Sequence, residues 1–124
     1  MSFAEDMSYD AEPVCREAAS QRRLVTYKEV TTSLKREHPG KYDQLPPSGG
    51  HVLPNSLWHV SNRSFEAGQF ALSAVVVSQD ALIPGEQFLE ELRHGGDWFI
   101  PGTEEVSEVE RWWKHLRRAF RRYE

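Results

Sequence analysis

Apolar positions recur along this chain in two ways. In most stretches they return every third or fourth residue, the spacing of a helix with one buried face; in one stretch they run almost without a break. The first periodic stretch, "DAEPVCREAASQRR", opens on Asp10 and closes on Arg22 and Arg23. Acids early and bases late suit the helix dipole, so the pattern predicts a helix from about Glu12 to Arg23. Residues 1–10 are then a flexible lead, and 11–124 one domain. In "VTYKEVTTSLKREHPG", Thr26 and Glu29 stand at capping-box spacing, and Tyr27, Val30 and Leu34 share a face. Pro39-Gly40 stops that helix, because the residue before proline avoids the helical region. "KYDQLPPSGG" reads as a loop.

A third helix follows in "HVLPNSLWHVSNRSFEAGQ", with Pro54 in its first turn and Gly68 at its end. One face carries Val52, Leu53, Leu57 and Val60; the other carries Asn55, Ser56, His59, Asn62 and Arg63. The unbroken run, Phe70 to Val77, is rich in β-branched residues and predicts a strand covered on both sides. "SQD" turns the chain, Ala81 to Ile83 is expected to return as a short second strand, and Pro84 ends the pairing. "GEQFLEELRHGG" predicts a short helix closed by Gly95-Gly96. A long helix is expected after Thr103 as its N-cap, with Val106, Val109, Trp112 or Trp113, Leu116, Phe120 and Tyr123 as its apolar stripe. Three helices, a β-hairpin and two further helices are the order of a small winged-helix-like α+β domain, mainly helical.

Composition narrows the class. Apolar residues make up 39% of the 124, with four Trp, which favours a packed core over disorder. No apolar run approaches the roughly 18–20 residues of a membrane span, so no membrane partner is expected. The acidic start, "MSFAEDMSYDAEP", lacks the basic-then-apolar order of a signal peptide, and the lone Cys15 forms no internal disulfide. A cytosolic protein, bacterial or phage in character, is the expectation. The Trp residues and the last helix's stripe suit either a monomer or a homodimer.

The net charge of −4 is unevenly laid out. Residues 21–63 hold seven bases against three acids, 64–110 ten acids against one base, and 111–124 six bases against one acid. The polar face of the third helix offers base-reading types: Asn for adenine, Arg for guanine. Asn55, Ser56, His59, Asn62 and Arg63 are therefore the candidate base-reading residues of a helix-turn-helix-like face. Arg22, Arg23, Lys28, Lys35, Arg36 and Lys41 are the candidate phosphate contacts on double-stranded DNA. The basic "RWWKHLRRAFRRYE" has two readings: a docked helix with Trp in the core, or a contact to phosphate or an anionic surface.

Chemistry points away from catalysis. His38, His51, His59, His94 and His115 show no metal-ligand spacing, no nucleophile elbow is present, and Ser48 to Gly50 lacks the lysine of a phosphate loop. Neither a cofactor nor a metal is expected. The leading expectation is a non-enzymatic DNA-binding or regulatory module. The alternative is a protein-interaction module using the acidic span from Glu66 to Glu110, such as a phage-encoded inhibitor or defence-related protein. A small enzyme without an identifiable site is the third.

Two resemblances bear on this. "LVTYKEVTTSL" resembles the opening helix of the winged-helix DNA-binding domain of alkylguanine-DNA alkyltransferases and their alkyltransferase-like relatives. Their Pro-Cys-His-Arg motif is absent and Cys15 lies upstream, so alkyl transfer is not implied. "LVTYKEV", "LWHVSNRSFEAGQFALSAVVV", "PGEQFLEEL" and "EVERWWKHLRRAF" together are similar to a group of small bacterial and phage domains of unassigned activity. That group combines a Thr-Tyr-x-Glu-Leu helix, a Leu-Ser-Ala-Leu-Val-Val strand, a Pro-Gly-x-Gly-Phe turn and a Trp-bearing last helix. Glu86-Gln87 here replaces the x-Gly before Phe88. The likeness implies a shared winged-helix-like fold and brings no activity with it.

Overall fold

The computed structural model describes residues 2–124. In chain order it contains α1 (Phe3–Ser20), β1 (Val25–Thr26), α2 (Tyr27–Glu37), α3 (Val52–Gly68), a single 3-10 turn (Leu72–Val75), β2 (Val76–Val77), α4 (Glu86–Leu92) and α5 (Glu108–Arg122). It is a mainly helical α+β fold with one small sheet. Among the described residues no helix is long and apolar enough to cross a membrane.

The helix predicted from Glu12 begins nine residues earlier, and the stretch expected as a flexible lead is its first half. Ser2 caps it, its Oγ accepting from the Glu5 N–H at 3.0 Å. Pro13 lies inside the helix, where a proline costs about 3 kcal/mol. Its place near an acidic turn mimics a helix start. Met7, Ala11, Cys15 and Ala18, spaced one or two turns apart, are fully buried, and α1 packs mainly along α3. Tertiary burial outweighs the local break. By contrast, α2 begins where its capping box says: Thr26 and Glu29 satisfy each other's backbone N–H groups at 3.0 and 3.1 Å.

The largest departure is at Phe70–Val77. Only Val76 and Val77 form a strand, and they pair in parallel with Val25 and Thr26. The expected hairpin does not form among the described residues: the chain from Ser78 to Ile83 is held by the Ser78 N–H to Ile83 carbonyl bond of 2.8 Å, without a ladder. Leu82 adopts a positive φ of 55°, outside the strand region, and is exposed with Ile83.

Residues 70–77 are nonetheless all buried, so the backbone groups ahead of Val76 need partners other than a neighbouring strand. Side chains supply them. The Ala71 N–H donates to His115 Nδ1 at 2.8 Å, the Leu72 N–H to Ser64 Oγ at 2.9 Å, and the Ser73 N–H to Ser61 Oγ at 2.9 Å. Trp112 Nε1 donates to the Ala74 carbonyl at 2.8 Å. The core thus surrounds an irregular apolar segment clamped between α3 and α5. The last helix starts at Ser107, whose Oγ accepts from the Glu110 N–H at 3.2 Å; Thr103, expected as the cap, instead donates to the Ile100 carbonyl.

Candidate nucleic-acid interface

The five base-reading candidates do not form a free recognition face. Arg63 reaches back to α1: its Nε and Nη2 donate to Glu12 Oε1 at 3.1 and 2.9 Å, and its Nη1 donates to Ser8 Oγ at 2.9 Å. Its guanidinium also lies 4.1 Å from the Tyr9 ring centroid. Asn62 Oδ1 accepts from Trp98 Nε1 at 2.7 Å, and Asn55 Oδ1 accepts from Gln87 Nε2 at 3.0 Å. Ser56 is fully buried and its Oγ has no hydrogen-bond partner among the described residues. His59 stays half-buried, edge-on to Trp58 with ring centroids 5.0 Å apart. A helix packed along α1 on one side and touched by α4 on another has spent its polar groups on its neighbours.

The phosphate candidates divide. Lys41 is held by Asp10 at 2.8 Å and Asp6 at 3.3 Å, Arg36 lies 3.7 Å from Glu37, and Arg22 pairs with Glu124. Lys35 Nζ donates to the Leu45 carbonyl at 2.7 Å, and Arg23 Nε donates to Gln21. Lys28 is exposed and has no ion-pair partner among the described residues. These six do not converge on α3.

A denser cationic surface lies on α5. Lys114, Arg117, Arg118 and Arg121 follow the i, i+3, i+4, i+7 spacing that places four side chains on one helical face. No carboxylate pairs with any of them among the described residues; the ion pairs formed lie elsewhere. Arg118 Nη1 donates to the Gln69 carbonyl at 2.7 Å, which fixes the centre of the stripe. Trp113 flanks it with 52% of its surface exposed, whereas its neighbour Trp112 is docked on the Ala74 carbonyl. The stripe and the turn at Gly102–Thr103 enclose a hollow of about 470 Å³, with Glu110 as the carboxylate at its acidic end.

The opposite face of α5 explains why the stripe points outward. His115, Leu116 and Ala119 are buried there. His115 accepts from the Ala71 N–H on Nδ1 and donates from Nε2 to the Trp98 carbonyl at 2.9 Å, an arrangement that needs the neutral ring with its proton on Nε2. Burial pushes its pKa down to about 4, the bond to Trp98 opposing and the nearby Arg118 charge reinforcing the shift.

Sequence reasoning left the role of this basic helix between two readings, and the structure splits the helix: His115, Leu116, Ala119 and the docked Trp112 hold one face to the core, while Trp113 and the cations lie on the other. The signal for the split was present: the residues from Lys114 to Arg121 alternate cationic and apolar with helical period. No protein-family model, curated protein or solved structure matches this chain.

Proposed function

We propose that the protein is a non-enzymatic nucleic-acid-binding module whose contact surface is the outer face of α5, not α3. The observation that carries this reading is the stripe of four cations without carboxylate partners among the described residues, beside an exposed tryptophan, on an otherwise acidic protein. Cations left unpaired on one face are available to replace counterions along a phosphate backbone, and Trp113 offers a ring on which an unstacked base can lie. The winged-helix-like expectation keeps its three leading helices in this reading but gives up α3 as the base-reading element and the hairpin as a wing. The contacts are therefore with phosphates, and binding discriminates weakly between sequences.

The test is fluorescence anisotropy of a labelled random-sequence duplex and single strand across a salt series. Four neutralised phosphates give a slope of about −3.6 in log affinity against log salt on a duplex, or about a 150-fold loss between about 50 and 200 mM. The double variant Arg117→Gln/Arg121→Gln halves that slope. A slope unchanged by the double variant, or no binding at low salt, rejects the α5 surface.

A further inference from the structure

A second, chemically different site lies on another side of the molecule. A cleft of about 450 Å³ opens between the start of α2, the middle of α3, the loop after β2 and the start of α4. That volume lies within the range of small-ligand sites, about 300–1,000 Å³, and such sites combine apolar walls with a few placed polar groups. Four aromatic side chains line it: Tyr27, Trp58, Phe88 and Trp98.

The walls are held in place by contacts that use no ligand. Tyr27 Oη accepts from the Gly85 N–H at 3.1 Å, tying the loop to α2, and a Cβ on Gly85 would stand 2.8 Å from that oxygen. Phe88 and Trp98 pack with ring centroids 5.2 Å apart, and the Trp98 indole N–H is fixed on Asn62. The Gln87–Asn55 bond of 3.0 Å closes the rim between α4 and α3. The side chains that sequence reasoning assigned to base reading are, in part, the frame of this cleft.

Charge at the mouth selects among ligands. Glu86 is paired with Arg93 at 3.0 Å, an arginine it shares with Glu108 at 2.5 Å. Lys28 has no partner among the described residues and stands in the first turn of α2, where the helix dipole adds to its positive potential. Asp80, which also lines the cleft, has no ion-pair partner among the described residues, and it opposes a second negative charge in anything that enters.

We propose that this cleft is a binding site for a small planar aromatic ligand bearing a single anionic group, the ring against the Trp58, Phe88 and Trp98 walls and the anion on Lys28. It is independent of the α5 surface.

Anilinonaphthalene sulfonate, an aromatic monoanion, is the probe. Titrated into the full chain at neutral pH, it is expected to bind saturably at one-to-one stoichiometry. Lys28→Gln is an exposed substitution that leaves the core intact; it is expected to weaken binding about tenfold, the effect of one charge-assisted contact. Trp58→Ala is expected to weaken it at least as much, Asp80→Asn to tighten it, and Arg117→Gln/Arg121→Gln to leave it unchanged. Near-ultraviolet circular dichroism of each variant establishes that it is folded. The proposal is overturned if the wild type shows no saturable binding. It is equally overturned if folded Lys28→Gln and Trp58→Ala proteins bind as the wild type does, or if binding disappears with the α5 double variant. The first two outcomes leave nucleic-acid binding untouched, and the third would move the anion to the α5 cations; the salt series reads nucleic-acid binding separately.

Discussion

Protonating His115 should unfasten the interior. The ring is buried between the Ala71 N–H and the Trp98 carbonyl, and its Nδ1 must stay unprotonated to accept the first of these bonds. The folded protein holds its pKa near 4, against 6.5 for the ordinary side chain. Because the folded-state value is the lower one, the sign is fixed: stability is full above about pH 6.5 and is lost progressively as pH falls toward 4, where the unfolded chain takes up a proton that the folded chain refuses. From about pH 7 to about pH 5 that linkage removes about 2 kcal/mol. The assay is urea denaturation followed by tryptophan fluorescence at both pH values, in the wild type and in His115→Gln. Glutamine can accept and donate much as the neutral ring does but does not titrate. All other ionisable groups are common to both proteins, so the difference between their pH dependences isolates His115. The wild type should lose about 2 kcal/mol more than the variant over this interval. Equal losses would show that the ring is not held neutral by the Ala71–Trp98 arrangement, and the reasoning fails.

Three further outcomes follow from the same geometry. Arg63→Ala should destabilise the fold by about 1–2 kcal/mol, because its bonds to Glu12 and Ser8 are only partly screened, while leaving duplex affinity unchanged; a folded variant with altered affinity would restore α3 to the interface. Ser61→Ala strips the acceptor from the buried Ser73 N–H and should cost about 1–3 kcal/mol in the same denaturation assay, against under about 0.5 kcal/mol for exposed Asn55→Ala; equal costs would mean that water reaches the Ser73 amide. Cys15 is fully buried, its thiol pushed up to about 12 by burial and by Glu12, so a disulfide-exchange reagent should label it only as fast as the protein opens, and urea should make labelling immediate. Rapid stoichiometric labelling of the native protein would place the thiol at the surface.

What could be read from the chain was whatever is decided within one turn of helix. The Thr26–Glu29 capping box is a four-residue signal, and α2 begins on it. Pro54 falls in the first turn of α3, where proline is tolerated, and the helix ends at Gly68, although the left-handed cap is made by Gln69 at φ 62°. The failures share one physical cause. Pro13 beside Asp10 and Glu12 looks like a helix start by local rules, yet the burial of Met7 and Ala11 decides the matter, and that depends on α3 lying alongside. A continuous apolar run such as Phe70–Val77 says "buried" and says nothing about what bonds its backbone. Here the partners are serines and a histidine, Ser61 twelve residues from Ser73 and His115 forty-four from Ala71. Serines on the inner face of α3 and a histidine within an apolar helical stripe were the available clues. The same distance effect hid the partner of Arg63, which looked free because Glu12 is fifty-one residues away in sequence.

The clamp on the buried segment and the cationic stripe are two consequences of one helix orientation. Trp112 and His115, three residues apart on α5, both bond the backbone of the 71–74 segment or its neighbour Trp98, so the rotation of the helix about its axis is fixed from inside. Lys114, Arg117, Arg118 and Arg121 are then obliged to face outward, since residues about half a turn from an inner-face position lie on the opposite surface. Had α5 been held by apolar contacts alone, its stripe of Trp112, Leu116, Ala119 and Tyr123 would define an inner side but tolerate some rotation, because dispersion and hydrophobic burial are non-directional. Hydrogen bonds to a rigid, buried backbone are directional and remove that freedom. A polar residue in the core, costly by itself, thereby fixes the direction in which the four cations of the stripe are presented.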